Sequence, residues 1–161
     1  TDYAQRLRNG HDISVSGCQS VAQNFKLNNA TDSTYEVSMI SAGCKRLQAG
    51  SSVVIRCAIY AVDGSGFPTG SPLQTNDNDL VTTNLNTDVK IFDFKFSTRA
   101  TLSFGTTYAF VFTSDDNNTV QVTVSNDVSV AGWPNGTQML KGDGGTWGNV
   151  AADLGFVMIY V

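Results

Sequence analysis

From Val21 onward the chain alternates apolar and polar residues in short runs broken by Gly, Pro, Asn and Asp. A period of two places alternate side chains on opposite faces of an extended strand, whereas a helix needs a period of 3.6. Val21, Gln23, Phe25 and Leu27 open the first such run, and Tyr35, Val37 and Met39 oppose Thr34, Glu36 and Ser38 in the second. Ile55, Cys57 and Ile59 share one face of 53–61, and a weakly patterned run covers 79–83. Phe92, Phe94 and Phe96 then alternate with Asp93 and Lys95, followed by Tyr108, Phe110 and Phe112. Val120, Val122 and Val124 repeat the pattern against Gln121, Thr123 and Ser125, and an apolar strand over 154–161 closes the chain.

About eight strands with turn clusters between them predict an all-β fold, a jelly-roll antiparallel β-sandwich, with an immunoglobulin-like sandwich as the alternative. Composition agrees. Only 15% of the 161 residues are charged, and Glu36 is the sole glutamate, so the residues that populate exposed helix faces are scarce. A chain of this length buries a core without help from disulfides or metal. The predicted core comprises Phe25, Val37, Met39, Ile55, Cys57, Ile59, Phe94, Phe96, Tyr108, Phe110, Phe112, Leu154 and Phe156.

Residues 1–19 lack sustained alternation and read as a lead-in arm or linker before the 20–161 domain, free to dock on a neighbouring subunit. With neither an initiator Met nor a signal-peptide pattern, the chain reads as a processed product. The Gly- and Pro-rich segment 63–73 is expected to be an ordered turn, and 130–150 a Gly-rich loop.

Charge and motif content exclude most chemistry. A net charge of -4 opposes nucleic-acid binding, since close basic pairs are confined to Arg6 with Arg8 and Lys45 with Arg46. No apolar run reaches the ~20 residues of a membrane helix, so no membrane insertion is expected. Cys18, Cys44 and Cys57 cannot all pair within one chain, and their spacing lacks the Cys-x-x-Cys of zinc sites. His11 is the only histidine and sits in the lead-in; Gly-x-Ser-x-Gly is absent, so triad and zincin catalysis are not expected. Glu36 and the turn aspartates show no spacing that pairs two carboxylates across a glycosidic bond. Gly64-Ser65-Gly66 and Asp143-Gly144-Gly145 lack the Lys-Ser/Thr and helix of a phosphate loop. No catalytic residue is therefore assigned, and the chain is expected not to be an enzyme.

Two binding possibilities remain. No cofactor is required, but Asp115, Asp116 and Asn117, like 77–79, offer hard loop oxygens of the kind calcium takes, a type of cluster that also simply makes turns. Sugar recognition needs aromatic rings framed by amides and hydroxyls. Trp133, Asn135, Gln138 and Trp147 supply these in the 130–150 segment, and Phe67 is the candidate exposed aromatic at the tip of 63–70. Trp133 can equally close one end of the sandwich, and Trp147 can pack over a sheet edge.

The order Gln23-x-Phe25, Ile59-Tyr60-Ala61-x-Asp63-Gly64-x-Gly66-x-Pro68-Thr69-Gly70, Phe94-x-Phe96, Leu102-x-x-Gly105-Thr106-x-Tyr108, Gly144-Gly145-Thr146-Trp147 and Asp153-Leu154-x-Phe156 runs from about residue 20 to the C-terminus. It resembles the carbohydrate-binding-like or "choice-of-anchor" β-sandwich modules of secreted bacterial proteins and phage fibre or tail proteins. Trp133-Pro134 and the three cysteines depart from that pattern. The resemblance implies a jelly roll with a non-catalytic role in recognition, adhesion or display at an extracellular or virion surface, and carries no agreed binding residues. The expected partner is a cell-surface glycan or polymer; the alternative is a structural fibre, sheath or capsid-decoration subunit of an extracellular or viral assembly, joined as a homo-oligomer or to neighbours through residues 1–19.

Overall fold

The computed structural model describes residues 3–4, 18–44, 54–81, 90–114, 126–127, 138–142, 146–150, 153–154 and 156–160. Among them are fourteen strands and no helix. In chain order these are β1 (Tyr3–Ala4), β2 (Cys18–Lys26), β3 (Thr34–Cys44), β4 (Val54–Val62), β5 (Pro68–Thr75), β6 (Leu80–Val81) and β7 (Lys90–Lys95). Then follow β8 (Thr101–Ser103), β9 (Thr107–Ser114), β10 (Asn126–Asp127), β11 (Gln138–Gly142), β12 (Trp147–Val150), β13 (Asp153–Leu154) and β14 (Phe156–Tyr160). The expected run at 120–125 lies outside the described residues.

Every described pairing is antiparallel. One sheet has the order β12-β11-β2-β9-β4-β5, with β6 on β4 beside β5; the other has the order β1-β14-β3-β7, with β8 on β3. β10 and β13 form a separate pair. Within the 1–19 segment, Tyr3–Ala4 pairs with Met158 and Val157 of this same chain.

The two sheets face each other as a sandwich. Val21, Phe25, Ile55, Cys57, Ile59, Phe110 and Phe112 line the inner face of the larger sheet, opposite Tyr35, Val37, Ile40, Ala42, Cys44, Phe94 and Leu102 of the smaller. Aromatic rings carry the contact across: Phe25 stacks on Phe110 at 5.9 Å, Phe110 meets Phe112 edge-on at 5.6 Å, and Phe112 meets Phe94 at 5.2 Å. Buried Gln74 joins the layers by hydrogen bonds. Its Nε2 donates to the Val37 carbonyl at 3.0 Å, and its Oε1 accepts the Ala100 N–H at 2.8 Å.

Nine predicted core residues are buried: Phe25, Val37, Ile55, Cys57, Ile59, Phe94, Phe96, Phe110 and Phe112. Tyr108 is half-buried against the core, and its hydroxyl accepts the Ser103 N–H at 3.0 Å. The side chains of Leu154 and Phe156 lie outside the described residues. Met39 corrects the prediction, because it is only partly buried while Ile40 is sealed. The cause is a bulge: Ile159 pairs with Met39 but Tyr160 pairs with Val37, so Ser38 is an extra residue that reverses the parity of β3 beyond it.

Two expected loops also contain strands. Residues 68–75 form β5 despite Pro68 and Pro72, because among the described residues β5 borders the sheet and pairs only with β4, so a missing outward N–H breaks no described ladder. Within 130–150, β11 and β12 pair as a hairpin, and β11 docks on β2.

The cluster 77–79, read as a turn or a cation site, is with Asn76 a brace between the layers. Asn76 Oδ1 accepts the Cys57 N–H at 2.7 Å on the larger sheet. On the smaller sheet, Asn78 grips β7 from its open side, and Asp77 Oδ1 accepts from Ser97 Oγ at 2.9 Å. Asp79 Oδ2 lies 3.1 Å from Arg56 Nε.

Candidate functional site

The larger sheet has an outer face as well as an inner one, and small residues occupy its centre. Strand parity points Ser20, Ala22 and Asn24 of β2, Ala109, Val111 and Thr113 of β9, and Arg56, Ala58 and Tyr60 of β4 away from the core. Their registers join into rows: Ser20, Thr113 and Arg56; Ala22, Val111 and Ala58; Asn24, Ala109 and Tyr60. Lys141 of β11 holds the register position beside Ser20, and Trp147 of β12 the position beside Lys141.

Ala22, Ala109 and Val111 are nevertheless buried on this outward side. Larger groups rise around them and cover them: Tyr60, Val62, Phe67 and Trp147, all partly buried, pack against this second apolar cluster. Short side chains at the centre of a sheet leave a depression, and the surrounding rings become its rim.

The depression is a groove of ≈ 380 Å³ lined by Ser20, Tyr60, Pro68, Thr69, Gly70, Val111, Thr113 and Trp147. That volume lies within the range of small-molecule sites. Ser20 Oγ and Thr113 Oγ1 are 3.3 Å apart on its floor. Among the described side chains lining it, the polar groups are the Ser20, Tyr60, Thr69 and Thr113 hydroxyls and the Trp147 indole N–H. Arg56 continues the Ser20–Thr113 row, with its guanidinium on the Asp79 carboxylate.

One wall is rigid for a local reason. Asp63 Oδ1 accepts the N–H groups of Ser65 at 2.8 Å and Phe67 at 3.0 Å, while its own N–H donates to the Phe67 carbonyl at 2.9 Å. Gly66 closes this turn at φ 85°, in the left-handed region that glycine adopts without steric cost. The turn lies close over the sheet: a Cβ at Gly66 would stand 3.0 Å from Asn24 Nδ2. Asn24 Oδ1 is buried there without a hydrogen-bond partner. Pro68, Thr69 and Gly70 leave this turn directly into the groove wall.

Of the predicted ligand residues, Phe67 and Trp147 thus come together on one face. Trp147 lines the groove; Phe67 is not an exposed tip but folds down half-buried onto the cluster beneath it. Gln138 belongs to β11, where its backbone pairs with Gln23 and Val150; its side chain lies outside the described residues. Trp133 and Asn135 also lie outside them, as do Asp115, Asp116, Asn117 and His11. Among the described residues no three His, Cys, Asp or Glu side chains gather as a metal site.

Tyr60, Ser20 and Thr113 were missed. Tyr60 sits one residue from Ile59 inside an apolar run, so it looks like core until parity is enforced. The signal was available in the small or β-branched residues at the outward positions of two neighbouring strands, which call for cover.

The thiols face inward. Burial pushes Cys44 up to about 12 and raises Cys57 as well, with the nearby Cys44 adding to the shift, so both remain protonated at neutral pH. Neither thiol takes part in the groove. No family model, curated protein or solved structure matches the chain.

Proposed function

We propose that this protein is a non-catalytic recognition module whose outer-face groove holds a cell-surface glycan or polymer, displayed on a secreted or virion-borne protein. One observation carries the reading: Tyr60 and Trp147 flank a floor bearing the Ser20 and Thr113 hydroxyls. Rings offer flat apolar faces for the C–H side of a sugar, and hydroxyls both donate and accept toward its OH groups. The Asp63 turn holds one wall in place before binding, which lowers the ordering cost. A shallow site of this kind binds weakly as a single copy and gains strength by multivalent display. The resemblance of its motif order to carbohydrate-binding-like modules is in keeping with the same reading.

A glycan array probed with the protein clustered on beads tests it. Retention of at least one glycan, lost in both Trp147→Ala and Tyr60→Ala, is expected. An array blank for the clustered protein, or retention unchanged in both variants, contradicts it.

A structural-subunit reading draws on a different surface. Ile91 on β7 and Leu73 on β5 are large apolar side chains left 60% and 43% exposed on strands that border the two sheets among the described residues. Light scattering after size exclusion decides this: an oligomer dispersed by Ile91→Lys supports it, and a monomer at high concentration opposes it.

A further inference from the structure

Resting on that reading, the outer face also indicates the charge of its ligand. We infer that the groove takes an acidic glycan, a sugar bearing a carboxylate or sulfate, with Lys141 as the cationic partner of the anionic group. The pairing registers set five outward residues in one row across the sheet: Trp147, Lys141, Ser20, Thr113 and Arg56. Lys141 thus holds the position between an aromatic wall of the groove and the hydroxyl pair on its floor. Cross-strand neighbours in such a row have Cβ atoms about 4.5–5.5 Å apart, a span that a four-carbon lysine stem bridges. Hydroxyls and an indole N–H donate to anionic oxygens, and hydrogen bonds to an ionised group are roughly twice as strong as neutral ones.

The charge of the sheet as a whole points the same way. Its described strands, β2, β4, β5, β6, β9, β11 and β12, contain Lys26, Arg56 and Lys141 but neither Asp nor Glu, although the chain carries a net charge of -4. Lys26 pairs with Thr107 in phase with Ser20, Ala22 and Asn24, so all three cations hold outward positions. A face of one sign raises the local concentration of ligands of the other. Of the acidic residues that border it, Asp63 accepts the Ser65 and Phe67 N–H groups of its own turn, and Asp79 lies on Arg56. Asp143, in the β11–β12 connection, lies outside the described residues. Because Arg56 shares its guanidinium with Asp79, the anionic group is assigned to the Lys141 side of the hydroxyl pair.

Calorimetric titration of the intact chain tests the assignment. The probes are a galacturonate hexamer and its methyl ester, a sulfated galactan hexamer and the same hexamer without sulfate, and any further glycan that the array retains. Expected is binding of at least one acidic probe, about tenfold or more tighter than its uncharged counterpart and weakening between ~0.05 and ~0.5 M NaCl. The carboxylate and sulfate arms show which anionic group the site takes. Lys141→Met is expected to remove the preference and Lys141→Arg to keep it. Lys26→Met, on the same face but outside the groove lining, should leave it within about twofold. Equal or weaker affinity for the acidic probes, or a preference that survives Lys141→Met, overturns the inference while leaving glycan recognition standing. A loss as large in Lys26→Met as in Lys141→Met overturns the seat at Lys141 and assigns the preference to the charge of the face. No binding by any probe, with the array also blank, overturns both the ligand class and the recognition reading.

Discussion

The side chain of Asn78 stands in for a strand beside Lys95. Its Oδ1 accepts the Lys95 N–H at 2.9 Å, and its Nδ2 donates to the Asp93 carbonyl at 2.8 Å, the pair of bonds a neighbouring strand would make. Among the described strands β7 borders its sheet, and such edges template pairing with other chains unless they are covered. One carboxamide therefore both ties the layers together and blunts an edge. Asn78→Ala is expected to cost ~1–3 kcal/mol in urea unfolding and to promote association seen by light scattering as concentration rises. Unchanged stability and an unchanged monomer would remove both roles.

Gln74 has the larger stake in the interior. Its two bonds satisfy the Val37 carbonyl and the Ala100 N–H from the opposite layer, and Val37 is wholly buried. Gln74→Leu keeps the volume but orphans both groups, so a loss of ~2–4 kcal/mol is expected, as a lower urea midpoint with an unchanged slope. A loss below ~0.5 kcal/mol would mean that water or a shifted backbone replaces the bridge.

The inner face was legible because it obeys strict alternation. Ile55, Cys57 and Ile59, then Phe110 and Phe112, point inward as the pattern requires. Met39 was not legible, since the bulge at Ser38 is fixed by pairing with β14, over a hundred residues away in sequence. Pro68 and Pro72 argued against β5, and only its place at the sheet border reconciles them with a strand. Of the site, Trp147 could be flagged by its type, whereas Tyr60 required knowing which face of β4 is outward. The hydroxyl pair Ser20–Thr113 carries no sequence signal, because its two strands are far apart in the chain.

Gly66 and Gly70 separate backbone strain from steric fit. Both have positive φ, 85° and 73°. A Cβ at Gly70 would meet nothing within 4 Å, while one at Gly66 would crowd Asn24 Nδ2 at 3.0 Å. Gly70→Ala is expected to cost ~1–2 kcal/mol from conformation alone. Gly66→Ala should cost more and also lower glycan retention, since Phe67 and the Pro68–Gly70 wall must shift with the turn. Equal costs in thermal unfolding would show that the turn does not press on Asn24.

Alkaline pH probes the buried thiols. Below the ordinary thiol value of 9.0, Cys44 and Cys57 are protonated in both folded and unfolded chains, so their burial adds no pH dependence. Above it the unfolded thiols ionise while the folded ones, raised to about 12 for Cys44, do not. The unfolded state then binds fewer protons, and stability falls as pH rises from 9 toward 12, approaching ~1.4 kcal/mol per pH unit per thiol. The fall should flatten in Cys44→Val/Cys57→Val, followed by urea unfolding at each pH. An equally steep fall in that variant would assign it to other groups, with Tyr35, raised chiefly by burial, foremost.

The central claim is that the outward face of the larger sheet, and not strand β7 of the smaller one, is where this protein meets its ligand. Amide chemical-shift mapping during titration with the best-retained glycan tests this directly. The account predicts shifts concentrated at Ser20, Tyr60, Thr69, Gly70, Thr113 and the Trp147 indole, with the β3 and β7 amides unmoved. Shifts centred on β7 around Ile91, with the Trp147 indole unchanged, would contradict it.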